Sequence, residues 1–93
     1  MIRSFNCKET ERIWHGQASR KFPREIQDRG LRKLRQLDVS RTMDDLRNSP
    51  GNRLESLKGD RAGQMSIRVN DQWRICFVWL DGDASAVEIV DYH

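Results

Sequence analysis

The chain has 93 residues, 17 Lys/Arg against 14 Asp/Glu and a formal net charge of +3, which makes one domain with a modest core. Its longest apolar run, Ile75 to Leu80, is far short of a membrane span, and Met1-Ile2-Arg3 lacks the apolar core of a signal peptide, so a cytoplasmic chain with no membrane partner is expected. Two distant cysteines, Cys7 and Cys76, with His15 and His93, fit neither a disulfide scaffold nor a metal-ligand spacing, so no metal and no other cofactor is expected.

In chain order, Ile2-Arg3-Ser4-Phe5 has apolar ends and a polar middle, the pattern of a short strand able to add to a sheet. Residues 8 to 16 favour a short helix that buries Ile13 and Trp14 and stops at Gly16. His15 sits there as an ordinary helix-end histidine. Pro23 suits the first turn of a second helix running to about Leu37. Its stripe is Ile26, Gly30, Leu34 and Leu37, widened by Leu31, and Arg24, Arg29, Arg32, Lys33 and Arg35 decorate the remainder. Ser40 or Thr42 caps a short third helix through Met43 and Leu46, with Asp44 and Asp45 favourable in its first turn. Asn48 to Asn52 is a breaker. Arg53 to Leu57 re-enters as a short strand, and a loop from Lys58 to Gly63 follows.

The last third carries the strongest pattern. Gln64 to Asn70 alternates polar and apolar, and Gln72 to Leu80 has an apolar residue at every odd position. Ser85 to Val90 alternates more weakly. If Met65, Ile67 and Val69 share a buried face with Trp73, Ile75, Phe77 and Trp79, the first hairpin needs an odd loop, most simply Asn70-Asp71-Gln72. Arg68 then stands opposite Arg74, two like charges that lower stability unless an anion lies between them. A three-residue loop at Asp81-Gly82-Asp83 sets Ile75 against Ile89 and Arg74 against Val90; Asp-Gly also suits a two-residue turn, which would flip that register. Cys76 is expected to face outward near the sheet edge. The fold class is α+β: two to three N-terminal helices on one face of a mainly antiparallel sheet of four to five strands, all within a single domain of residues 1–93.

Charge is uneven. Residues 1–61 hold 15 Lys/Arg against 9 Asp/Glu, whereas residues 62–93 hold 2 against 5. Such a basic half suits a polyanion, and equally an ordinary solvated helix surface. The loop around Gly59 and Gly63 has neither the spacing nor the Lys-Ser/Thr pair of a nucleotide cradle. No serine sits in a nucleophile elbow, and neither Cys has a neighbouring His. What remains is Glu55, Lys58, Arg61, Arg68, Arg74, Asp91, Tyr92 and His93. Cleavage of RNA by its own 2′-OH needs a base, cations for the crowded phosphate, an acid for the 5′-oxygen and a ring for a displaced nucleobase. These residues supply all four roles without a metal. A structural reading stands beside this one, in which Arg74 covers the sheet with its stem and Tyr92 closes the core.

Leu54 to Arg61, the strands Ser66 to Phe77 and the closing Asp91-Tyr92-His93 resemble the HigB host-inhibition-of-growth toxins of the RelE/ParE superfamily, as do Met1 to Phe5 and Pro50 to Leu54. The resemblance implies a RelE-like fold and a type II toxin that, bound to the ribosome, cuts messenger RNA. It also implies neutralisation by a HigA-type helix-turn-helix antitoxin, through which operator DNA is reached only indirectly. By position, His93 would be general acid or base and Asp91 would orient it or share the proton transfer. Tyr92 would stack on or position the message, while Lys58, Arg68 and Arg74 would steady the phosphate; Arg61, in the same basic loop as Lys58, is a further candidate to bind RNA phosphate. Some relatives carry a histidine three residues before the lysine, where this chain has Glu55, a carboxylate able to act as base but also to repel phosphate. Two rival readings are a ParE-like toxin that inhibits DNA gyrase by protein binding and a non-catalytic RNA-binding module.

Overall fold

The computed structural model describes residues 1–92, folded as three helices followed by a four-stranded antiparallel sheet in sequential order. The helices are α1 (Lys8–Trp14), α2 (Arg24–Val39) and α3 (Met43–Arg47); the strands are β1 (Glu55–Ser56), β2 (Met65–Arg68), β3 (Trp73–Leu80) and β4 (Asp83–Asp91). Among the described residues, no helix is long and apolar enough to cross a membrane.

The apolar stripe of α2 forms as the sequence indicates. Ile26, Gly30, Leu34 and Leu37 are all buried. Gly30 lies so close to the sheet that a Cβ there would stand 3.2 Å from Ile89 Cδ1, which accounts for a glycine in the middle of a helix. Phe22, just before α2, meets Trp73 edge to face with ring centroids 5.4 Å apart. The core is completed by Ile67, Val69, Ile75, Phe77, Val87 and Ile89, so helices cover one face of the sheet. Thr42, rather than Ser40, caps α3 in a reciprocal box with Asp45.

Both hairpins carry the expected long-range register, reached in different ways. Arg68 pairs with Arg74 and Ile67 with Ile75, with Asn70-Asp71-Gln72 as the connection. The second hairpin closes as a two-residue turn: Leu80 pairs with Asp83 across Asp81 and Gly82, both at positive φ. Even so, Ile75 pairs with Ile89 and Arg74 with Val90. A bulge reconciles the two, since the register shifts between Cys76 and Val78 and Ala86 adopts φ 52°. One extra residue in β4 flips its alternation, so Ala84 on one side of the bulge and Val87 and Ile89 on the other all lie buried. The weak alternation of Ser85 to Val90 is the sequence trace of that insertion.

Two expectations need correcting. The strand from Arg53 to Leu57 is reduced to Glu55–Ser56, because Arg53 takes φ 46° and leaves the ladder. Cys76 points to the sheet face away from the helices, yet it is not near an edge: it lies on the inner strand β3 and is fully buried. Residues 2–5 join the sheet as two parallel bridges to β4, Ile2 to Ala84 and Phe5 to Val87, rather than as a full strand.

Asn52, in the stretch that looks like a mere breaker, is fully buried and ties three elements together. Its amide donates to the Leu46 carbonyl at 3.1 Å and accepts from Lys33 Nζ, while its own carbonyl accepts from Arg68 N at 2.6 Å.

Leu34→Ala should lower unfolding free energy by about 2–5 kcal/mol through lost burial and a cavity, read from the denaturant midpoint. Asn52→Ala should cost about 1–3 kcal/mol, because buried groups on two neighbouring elements lose their partner. A third expectation concerns Asp45, whose carboxyl is held below its usual range chiefly by the backbone amides of Arg41 and Thr42. A carboxyl lowered in the fold stabilises above its unfolded-state value, and that contribution disappears as pH falls through the folded-state value. Stability scans on the acid side of about pH 4 should therefore fall less steeply for Asp45→Asn than for the parent chain.

Candidate functional site

The face of the sheet away from the helices is where the candidate residues gather. The register sets Glu55, Ser66, Cys76 and Glu88 in one row across the four strands, and Arg68, Arg74 and Val90 in the next row but one. Tyr92 continues the same alternation just beyond β4.

Arg74 is the centre of this face and is only 6% exposed. A guanidinium so far out of water must have its donors met. Nε donates to Ser66 Oγ at 2.8 Å, and Nη2 donates to the Arg53 carbonyl at 2.6 Å and to the Ser66 carbonyl at 3.3 Å. Nη1 lies 3.8 Å from Glu55 Oε1. The guanidinium carbon stands 5.5 Å from the centroid of the Tyr92 ring, a cation–π distance. Three predicted residues, Glu55, Arg74 and Tyr92, are thus assembled around one buried charge. Glu55 is exposed and Tyr92 is 44% exposed, so both present a free edge to solvent beside it.

The opposition of Arg68 and Arg74 needs no bound anion. Arg68 turns outward to pair with the exposed Asp71, whose carboxyl is held below its usual range chiefly by that hydrogen bond. Arg74 turns the other way, to its own acceptors. The two like charges share a register position but not an environment.

Lys58 is exposed, directly after the buried Leu57, where the chain enters a 3-10 turn at Gly59–Arg61. Arg61 does not point to solvent alone. Its Nη1 donates to Glu88 Oε1 at 2.7 Å and to Gln64 Oε1 at 3.1 Å. Asp91 pairs with Trp73, so alternation puts it with Ile89 on the helix-packed side, and its Oδ2 accepts from Gln72 Nε2 at 3.0 Å. The Tyr92 amide donates to the Gln72 carbonyl at 2.6 Å, which fixes where the chain leaves the sheet. His93, the expected acid or base, lies outside the described residues. His15 caps α1 with Nε2 3.8 Å from Glu11 Oε2, on a different part of the molecule.

Ser66, the Arg53 carbonyl and Glu88 are site components that sequence reasoning did not single out. Ser66 was within reach of it: once Arg68 faces Arg74, Ser66 is the diagonal neighbour of Arg74 on the same face. The Arg53 carbonyl was not, because it depends on a backbone turn at positive φ in a non-glycine residue.

The family of HigB-like toxins, described as the RelE-like toxin of type II toxin-antitoxin system HigB, matches residues 3–93. Toxin HigB-1 of Vibrio cholerae is 48% identical over 65 residues, spanning 70% of this chain and 68% of that one. Endoribonuclease HigB of Proteus vulgaris is 34% identical over 93 residues, the whole of both chains. In structure, the chain is similar to one in a YoeB-YefM complex from Staphylococcus aureus, with a TM-score of 0.63 at 20% identity over 100% of this chain and 95% of that one. A second structure, a heterotetrameric YoeB-YefM toxin-antitoxin complex from the same organism, matches with a TM-score of 0.61 at 18% identity and the same coverage. The chain belongs to the HigB-like family, the RelE-like toxins of type II toxin-antitoxin systems.

Proposed function

We propose that this toxin is a ribosome-dependent endoribonuclease that cuts messenger RNA during translation by metal-independent acid–base chemistry. The observation that carries the reading is the buried Arg74 guanidinium, immobilised by Ser66 and Arg53 and flanked by the Glu55 carboxylate and the Tyr92 ring. A fixed cation with a proton acceptor on one side and a stacking surface on the other suits in-line attack by a 2′-OH. The name of the Proteus vulgaris relative supports the same activity. It favours RNA cleavage over the gyrase-binding alternative.

In this mechanism Glu55 accepts the proton of the 2′-OH as the 2′-oxygen attacks phosphorus. Arg74 holds the charge that accumulates on the non-bridging oxygens, with Lys58 and Arg68 steadying the flanking backbone. Tyr92 stacks on the displaced nucleobase. His93 delivers a proton to the departing 5′-oxygen. The P–O5′ bond breaks as the P–O2′ bond forms, which leaves a 2′,3′-cyclic phosphate and a 5′-hydroxyl. In the cytoplasm, a HigA-type helix-turn-helix antitoxin neutralises the toxin and carries the pair to operator DNA. The YoeB-YefM complexes, which pair a toxin with an antitoxin on a similar fold, support that partnership.

Purified toxin added to ribosomes carrying a defined message should give discrete cuts, read by primer extension. His93→Gln and Glu55→Gln should each lower the cleavage rate by about 10²- to 10⁴-fold, the usual worth of a general acid or base, while leaving the melting temperature near that of the parent. Tyr92→Phe should retain most activity and Tyr92→Ala should not, since the ring rather than the hydroxyl is in use. Intact messages with wild-type toxin, accompanied by gyrase-dependent DNA damage in arrested cells, would establish the ParE-like reading instead.

A further inference from the structure

The loop that carries Lys58 connects two adjacent strands, and glycines at positive φ stand within it and at its end, Gly59 and Gly63. Left to itself, such a loop holds no fixed geometry. Local bonds give it one turn: Arg61 N donates to the Lys58 carbonyl at 3.3 Å, Ala62 N to the Gly59 carbonyl at 3.0 Å and Gln64 N to the Arg61 carbonyl at 3.0 Å. The Leu57 amide closes the loop on the Gln64 carbonyl at 2.9 Å. None of these bonds says where the turn sits relative to Arg74 and Tyr92.

One contact does. Arg61 Nη1 donates to Glu88 Oε1 at 2.7 Å, joining positions 27 residues apart. Glu88 is in β4, the far edge of the sheet from β1, and pairs with Cys76 of β3. The contact therefore ties the loop between β1 and β2 to the strand on the far edge of the sheet, and Cys76, the partner of Glu88 on β3, is fully buried. The Glu88 side chain is 16% exposed and that of Arg61 37%, so the pair is shielded from water on the Glu88 side. Glu88 also shares a face and a strand with Val90, and Tyr92 follows in the same alternation. The strap thus ends on the strand that presents the stacking ring.

We propose that Glu88 is a positioning residue for RNA cleavage, its ion pair with Arg61 strapping the Lys58 loop across the sheet so that Arg61 is a strut and not a phosphate ligand. This inference rests on the endoribonuclease reading above. A carboxylate already bound to Arg61 balances its charge locally, which leaves Lys58 as the loop's cation for the message. Loss of either end of the strap lets the loop wander, and the cost falls on the chemical step, where placement counts most.

The test is a charge-reversal cycle, measured both by cleavage of ribosome-bound message and by amide hydrogen exchange in the free toxin. Arg61→Ala and Glu88→Ala should each lower kcat by about tenfold with little change in KM, and the double variant should be no worse than either, the mark of one shared interaction. The swap Arg61→Glu with Glu88→Arg should restore kcat to within about threefold of the parent, and Glu88→Gln should fall between. In parallel, the amides of Arg61, Ala62 and Gln64 should exchange faster in the single variants and slow again in the swap. If Arg61→Ala instead raises KM while Glu88→Ala is neutral or more active, Arg61 binds phosphate directly and the strap is wrong. Unchanged exchange in the single variants overturns it as well. A wild-type chain that never cuts message would sink the endoribonuclease reading and with it any catalytic role for Glu88, whatever the exchange data show about the strap.

Discussion

A single buried cation organises this protein. Arg74 stands on an inner strand with almost no contact with water, and a guanidinium in that position is tolerated only when its donors are met. The acceptors come from three separate places: a side chain and carbonyl on β2, a carbonyl at the turn before β1, and a carboxylate on β1. The ring that covers it comes from the end of β4. Satisfying the charge therefore requires all four strands to be in register. The same requirement leaves a rigid cation between a carboxylate and an aromatic ring, the three groups on which the proposed cleavage chemistry rests.

The two faces of the sheet divide stability from chemistry. On one, Gly30 lets α2 settle against Ile89, and Phe77, Ile67, Ile75 and Leu34 are wholly buried, each contributing on the order of 1.5–3 kcal/mol. On the other, the polar side chains are paired: the buried Ser66 with the buried Arg74, the half-buried Glu88 with Arg61. The bulge at Ala86 keeps the division intact along β4, since without the extra residue either Ala84 or Val87 would turn outward. Strain at one non-glycine residue is the cost of serving both faces with one strand.

The distribution of charge follows from this arrangement. The sheet segment is acidic overall and its arginines are held close to acidic or carbonyl partners, Arg68 by Asp71 and Arg74 by Glu55, Ser66 and Arg53. Exposed positive charge lies instead on Arg24, Arg29, Arg32 and Arg35 of α2 and on Lys58. The long-range positive field of the molecule thus comes from the helical half, whereas the arginines of the sheet face are already paired at short range.

Much of this was legible in the linear chain. Period-two alternation with apolar residues at odd positions, an odd loop at Asn70-Asp71-Gln72 and a helical stripe with one glycine determine the α+β class, the buried face and the pairing of Arg68 with Arg74, because side-chain direction in a strand depends only on parity. Likeness to a known toxin family named the residues of the site. Folding alone decided the remainder. It made the second hairpin a tight two-residue turn and recovered the register with a bulge, buried Cys76 on the outer face, aimed Arg68 and Arg74 apart, and set Arg61 on Glu88 of the far edge strand. Each of these turns on where a long side chain or a positive-φ backbone finds its partner at a distance in sequence, and neither parity nor composition carries that information.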